Sequence, residues 1–296
     1  MKNFFKSTLG TVLAVIAFSL FWFWVNKSYF QLGFSLFFVA LFFGIEEARK
    51  KISRNPKYIH YHFFPKKLSA PQKNIIQQNY SFYRRLKPDF QKSFDNRVAV
   101  FLEQYKIIGR QGVEVDEEKK ILIASCYIQL TFGMYTYLIE SFKTILLYPD
   151  YYFSNITKDN HLGEFNPHLK IIVFSWKHFW EGIKVDDNNY NLGIHEFSHA
   201  ILSSSKVKNF RSQTVAENDF ETGYRKILDI LKDREFYTQL YHSEYFREYA
   251  FTNNSEFISV ILEHFFETPH EFSSKFPELF EIVKEMINYR EEWFQN

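Results

Sequence analysis

Within NLGIHEFSHAIL, residues 191–202, His195, Glu196 and His199 stand in the H-E-x-x-H spacing. On a helix, positions i and i+4 lie within about 40° of each other around the axis, so both imidazoles project from one face. Two nitrogen donors on one face can hold a Zn²⁺ ion, and the glutamate between them is placed to take a proton from water. The five-residue pattern arises by chance in roughly one chain of this length per hundred, so its surroundings decide its meaning. Here Ile194, Phe197, Ala200 and Ile201 give the helix apolar surface, and Asn188, Asn189 and Asn191 offer capping groups upstream.

A catalytic zinc ion takes three protein ligands and keeps one position open. A carboxylate on a second helix is a common third donor. Glu256 and Glu263, seven residues apart in SEFISVILEHFF, share nearly one helix face among Phe257, Val260, Ile261, Leu262, Phe265 and Phe266. A buried carboxylate needs a partner, and zinc suffices for one of the two. Spacing alone does not separate them. Glu267 and Glu271 suit a solvated helix edge. His60 and His62, in YIHYHFF, could ligate a metal from a strand, but no third donor stands near them in sequence and they read as linker.

These groups must be positioned by the elements around them. Lys143–Tyr148 (KTILLY) and Leu169–Phe174 (LKIIVF) are branched apolar runs bounded by Pro149, Asp150, Asn166 and Pro167, hence strands. Helical patterns run from Ser69 to about Leu86, Pro88 to Ile108, Glu117 to Ile139, Trp176 to Ile183, Gln213 to Leu231, Asp233 to Tyr241, Ser255 to Phe266 and Pro277 to Phe294. Ser69 is the expected N-cap of the first, with Pro71 in its opening turn. The expected fold class is α+β, mostly helical with a small sheet, the metal-binding helix lying beneath one strand. Leu169–Phe174 is expected to be the sheet edge that takes up extended substrate by main-chain pairing.

The chain has 296 residues and a formal charge of +2 with both signs interspersed, which argues against a nucleic-acid surface. Its single cysteine, Cys126, excludes an internal disulfide framework and a cysteine-rich zinc site. Phe and Tyr number 36 and 19 but are spread throughout, as core filling would have them. Residues 8–25 and 29–45 are apolar runs separated by Asn26, Lys27 and Ser28, each near the lower length for crossing a bilayer. No small-residue cleavage site marks a signal peptide. The expectation is a transmembrane helical hairpin over 1–46, followed by a juxtamembrane linker over 47–68. Lys2 and Lys6 precede the hairpin and Arg49, Lys50, Lys51 and Arg54 follow it, against Lys27 alone in the turn. The positive-inside bias then places everything after residue 46 at the cytoplasmic side of the inner membrane.

From about Gln111 to Arg290 the chain resembles the Mlc titration factor A family of zinc peptidases. The matching pieces are QGVEVD, ILLYP, IIVFSW, NLGIHEFSHAIL, EYAFTNNSEFISVILEHFFETPHEF and FPELF. The active-site portion is also similar to the catalytic domain of anthrax lethal factor, and both relatives have a tyrosine seven residues before a helical glutamate. The resemblance implies a zincin-like metallopeptidase domain over 69–296 with zinc ligands His195, His199 and Glu256. It also implies Glu196 as general base, Tyr249 facing the scissile carbonyl, and a peptide or protein substrate. One departure is Leu202, where the family commonly has an aspartate three residues after the second histidine. It leaves open an alternative: a non-hydrolytic protein that keeps the zinc fold to bind a regulatory partner.

Overall fold

The structure, a computed structural model, describes residues 37–45, 47–48, 59–62, 64–153, 160–206 and 215–295. The hairpin expected over 1–46 lies outside these except for 37–45, a helical stretch with Phe37, Phe38, Leu41 and Phe43 exposed. No helix among the described residues is long and apolar enough to cross a membrane.

Helices α1 (Ala70–Asn79), α2 (Ser81–Arg85) and α3 (Pro88–Gln104) open the domain that carries the site. Ser69 caps α1 as expected: its hydroxyl accepts from the Gln72 amide while the Gln72 side chain accepts from the Ser69 amide. The pattern expected to stay helical to Ile108 breaks at Tyr105, which is extended, and Lys106–Gly109 forms strand β1. Its Ile-Ile pair is β-branched and fits a pleated surface better than a helix end. Helix α4 (Glu117–Thr131), capped by Asp116, is buried along most of its length. It stops well short of Ile139.

Strands β2 (Thr144–Tyr148), β3 (Tyr152–Phe153), β4 (Asn160–His161), β5 (Gly163–Asn166) and β6 (Ile171–Ser175) follow. The main sheet has the order β1-β2-β6-β5, with β1, β2 and β6 parallel and β5 antiparallel to β6. The run expected to be the sheet edge is therefore interior. Ile171–Ser175 pairs with β2 on one side and β5 on the other, and β5 ends the sheet. The reason is physical: β6 is buried over four of its five residues, as a central strand should be, whereas GEFN can tolerate the rim.

Helix α5 (Trp176–Lys184) leads to α6 (Leu192–Lys206), which carries the H-E-x-x-H residues. Then come α7 (Val215–Ile230), α8 (Arg234–His242), a 3-10 turn at Glu248–Phe251, α9 (Asn254–Glu267), α10 (Pro269–Lys275) and α11 (Pro277–Met286). The closing helix, expected to reach Phe294, ends at Met286, and Asn288 turns the chain with φ 51°. Helix α6 runs through the middle of the domain. Phe197 is fully buried, with ring centroids 5.0 Å from Tyr127 on α4, 5.3 Å from Phe174 on β6 and 6.0 Å from Phe142. Such close rings fix the helix from several sides at once.

The stretch expected as linker contributes to this core. Ile59 and Leu68 are buried, and His60 stacks on Phe132 at 4.3 Å. Buried Arg97 holds the segment in place, donating to the carbonyls of Ile59 (2.9 Å), Thr131 (3.2 Å) and Phe132 (3.0 Å). His60 Nδ1 and His62 Nε2 both face Ser93 Oγ, at 3.1 and 3.3 Å, an arrangement that uses them in packing rather than in metal binding.

Candidate metal centre

Asn191 starts helix α6. Its side-chain oxygen accepts from the Ile194 amide at 3.0 Å, and its own amide group donates to the Gly182 carbonyl at 2.9 Å. A cap of this kind satisfies an otherwise orphaned N–H and sets the helix phase. That phase turns His195 and His199 to one side, with their Nε2 atoms 3.2 Å apart. Helix α9 lies alongside, begun by Asn253, whose side-chain oxygen accepts from the amides of Ser255 and Glu256. One turn in, Glu256 reaches the same point: Oε2 is 2.9 Å from His195 Nε2 and Oε1 is 3.4 Å from His199 Nε2. The three ligand-type atoms lie within 4.8 Å of one another.

The outer nitrogens of both imidazoles are engaged elsewhere. His195 Nδ1 is 2.8 Å from Glu263 Oε1, and His199 Nδ1 is 2.9 Å from Ser255 Oγ. A carboxylate opposite Nδ1 assigns the hydrogen to that atom and turns the Nε2 lone pair inward, as is usual for a metal-bound histidine. Glu256 Oε2 is buried and faces His195 Nε2. Electron-rich atoms converging like this can hold a cation. Burial lowers the His195 pKa, but hydrogen bonds to Glu256 and Glu263 carry it the other way, to about 10, so without an ion the cluster draws in a proton. Two imidazole nitrogens and a carboxylate oxygen converging on one point are donor types that Zn²⁺ takes, so the residues present fit such an ion.

Glu196 lies beside the cluster, 6% exposed, and burial raises its carboxyl pKa. Strand β5 passes directly over it. A Cβ on Gly163 would come 2.7 Å from both Cγ and Oε1 of Glu196, so glycine is what allows the sheet rim to approach this closely. Tyr249, from the 3-10 turn, is half exposed with its ring centroid 6.1 Å from that of His195. Burial of the phenol, and Glu256 near it, push its pKa well up, so it keeps its proton as a donor. The structure thus brings His195, Glu196, His199, Glu256 and Tyr249 together. Leu202, by contrast, is buried in the core.

A family model described as glucose-regulated metallo-peptidase M90 matches residues 53–289. The chain belongs to this family. An uncharacterised protein of Synechocystis sp. is 22% identical over 241 residues, covering 75% of this chain and 84% of its own. Mlc titration factor A of Klebsiella pneumoniae is 24% identical over 215 residues, 66% of this chain and 78% of its own. Mlc titration factor A of Salmonella arizonae is 23% identical over 198 residues, 61% and 76% respectively. A metallopeptidase-type protein with a metal ion follows from membership of the M90 family and agrees with the converging donor set.

Glu263, which shares a helix face with Glu256, stands behind His195 rather than at the imidazole tips. Other groups around the centre are not marked by any spacing in the sequence. Arg247 Nη2 donates to Glu263 Oε1 at 2.6 Å. The only signal for it was indirect, since a buried glutamate implies a cation somewhere. Gly163 and Ser255 carried no signal in spacing.

Proposed function

We propose that this member of the M90 family is a zinc-dependent peptidase that hydrolyses extended peptide segments, tethered to the inner membrane with its catalytic domain facing the cytoplasm. The observation that carries the reading is the convergence of His195, His199 and Glu256 around one point, with the buried base Glu196 beside it and Tyr249 over it. A structural zinc site has no use for an unliganded base or for a half-exposed tyrosine. Zinc bound here supplies Lewis-acid polarisation of the scissile carbonyl and of the attacking water.

The chain's own residues supply the rest. Glu196 takes the proton from the attacking water, helped by the burial that raises its pKa, and returns it to the leaving amine. Tyr249 donates its hydroxyl hydrogen to the oxyanion that develops on the carbonyl. Substrate lies along β5, the sheet edge nearer Glu196 and unpaired on its outer side among the described residues, where main-chain pairing holds a peptide extended and Gly163 brings it against Glu196. The tether rests on the two apolar runs of 8–25 and 29–45 and their basic flanks.

A second reading, binding of a regulatory protein, draws on the name of the relatives called Mlc titration factor A and on Leu202. Metal removal separates the two. Full-length protein stripped by a chelator should lose peptide hydrolysis and regain it on addition of one equivalent of Zn²⁺. A zinc-loaded protein that cleaves no peptide in a broad library leaves the binding role as the function.

A further inference from the structure

Two parts of the centre come from segments that the main chain does not join closely. One is the loop that starts α6 and aims His195; the other is the 3-10 turn that carries Tyr249. Arg247, immediately before that turn, spans them. Its Nη2 donates to Glu263 Oε1 at 2.6 Å, and its Nη1 reaches Glu263 Oε2 at 3.2 Å and the Asn189 carbonyl at 2.9 Å. The guanidinium lies 4.6 Å over the Tyr190 ring. Glu263, 1% exposed, faces His195 Nδ1 with Oε1 at 2.8 Å and accepts the Asn191 amide on Oε2 at 2.8 Å. One planar fork therefore touches the loop, the carboxylate behind His195 and, through the chain, Tyr249.

We propose that Arg247 is a positioning residue that orients His195 toward the metal through Glu263 and pins the turn carrying Tyr249 to the start of α6. A carboxylate as buried as Glu263 can rotate toward whichever donors it has; the fork fixes both of its oxygens and so fixes the imidazole. A lysine offers one point charge in place of the fork and cannot hold the carboxylate and the Asn189 carbonyl in the same geometry. The role at the metal stands on geometry alone, while the role at Tyr249 rests on the peptidase reading.

The test uses the full-length chain in five forms: wild type, Arg247→Lys, Arg247→Met, Glu263→Gln, and the double Arg247→Met/Glu263→Gln. Zinc affinity is measured by competition with a chromophoric chelator. Arg247→Met and Glu263→Gln should each weaken zinc binding by about 10- to 100-fold, the range typical of lost support behind a metal ligand. The double variant should bind zinc within about threefold of the weaker single variant, because both changes act through one carboxylate. Arg247→Lys, which keeps a positive charge facing Glu263, should still bind zinc at least about tenfold more weakly than wild type. At saturating zinc, Arg247→Met should lower kcat by about tenfold with KM little changed, since the tyrosine acts in the transition state. Losses that add in the double variant, or Arg247→Lys binding zinc like wild type, overturn the proposal. If Arg247→Met fails to fold, the lysine variant decides. If the wild type cleaves no peptide, the functional reading fails, while the zinc affinities still judge the role of Arg247.

Discussion

Tyr249 is 51% exposed above a centre whose other members are nearly buried, and in so aromatic a chain that exposure alone means little. Its position beside His195 gives it meaning. Tyr249→Phe should fold and bind zinc normally but lose about 10² to 10³ in kcat, as removal of other oxyanion donors does. Steady-state kinetics beside metal analysis check this; turnover close to wild type makes the ring a packing group. The H-E-x-x-H residues were legible from spacing because helix geometry alone puts them on one face. Glu256 and Glu263 were not separable that way. Seven residues restore the same face but move about 10 Å along the axis, so one carboxylate meets the imidazole tips and the other the back of His195. Sequence periodicity reports angle well and level poorly. Arg247 was illegible because its partners stand 16 and 58 residues away, and nothing local encodes contacts of that span.

Among the elements, the helices of the site and the two apolar strands could be read from periodicity and branching. The rim strand could not. GEFN is four residues long, alternates weakly, and becomes a strand only because β6 offers it a ladder from Gly163↔Phe174 to Asn166↔Ile171. Tertiary pairing overrode a composition that reads as loop. The expected substrate edge thus moved one strand over, from β6 to β5. Gly163 makes that placement testable. Gly163→Ala inserts a methyl where Glu196 Cγ, Glu196 Oε1 and Leu192 Cδ1 would all lie within 2.8 Å. Both side chains can shift, so the fold should survive. The base, however, should be displaced by a fraction of an ångström to an ångström, costing about 10²-fold in kcat. Zinc content should be unchanged. Loss of zinc together with activity indicates that β5 supports the metal helix itself.

At the scale of the whole molecule, the α+β class and the order of most elements followed from the sequence, because long apolar periodicities dominate both. The start of the domain did not. YIHYHFF looks like a polar-aromatic linker until Arg97, buried in α3, supplies the cation that ties Ile59 to the core. Glu267 should leave its own mark on the pH dependence of stability. Burial, with Glu263 nearby, raises Glu267 to about 7 from an ordinary value of 4.5, although Asn191 and the Tyr190 amide donate to it. The native state then holds a proton that the unfolded chain has already released, so this group's contribution falls as pH rises from about 4.5 to about 7. His62 and His264, held near 4 by burial, act in the opposite sense, so the test is the difference: between about pH 5 and about pH 7.5 the midpoint of the zinc-free wild type should fall relative to that of Glu267→Gln. Parallel pH profiles in the two proteins remove Glu267 as a contributor.

The claim on which the rest depends is that Glu196 is a base and His195, His199 and Glu256 are the ligands. The measurement that tests it most directly is zinc content and peptide hydrolysis of full-length Glu196→Gln against wild type. The variant should hold one zinc per chain with unchanged affinity while hydrolysis falls by at least about 10²-fold, the usual share of a general base. A variant that loses its zinc, or that keeps its zinc and cleaves at the wild-type rate, contradicts the account.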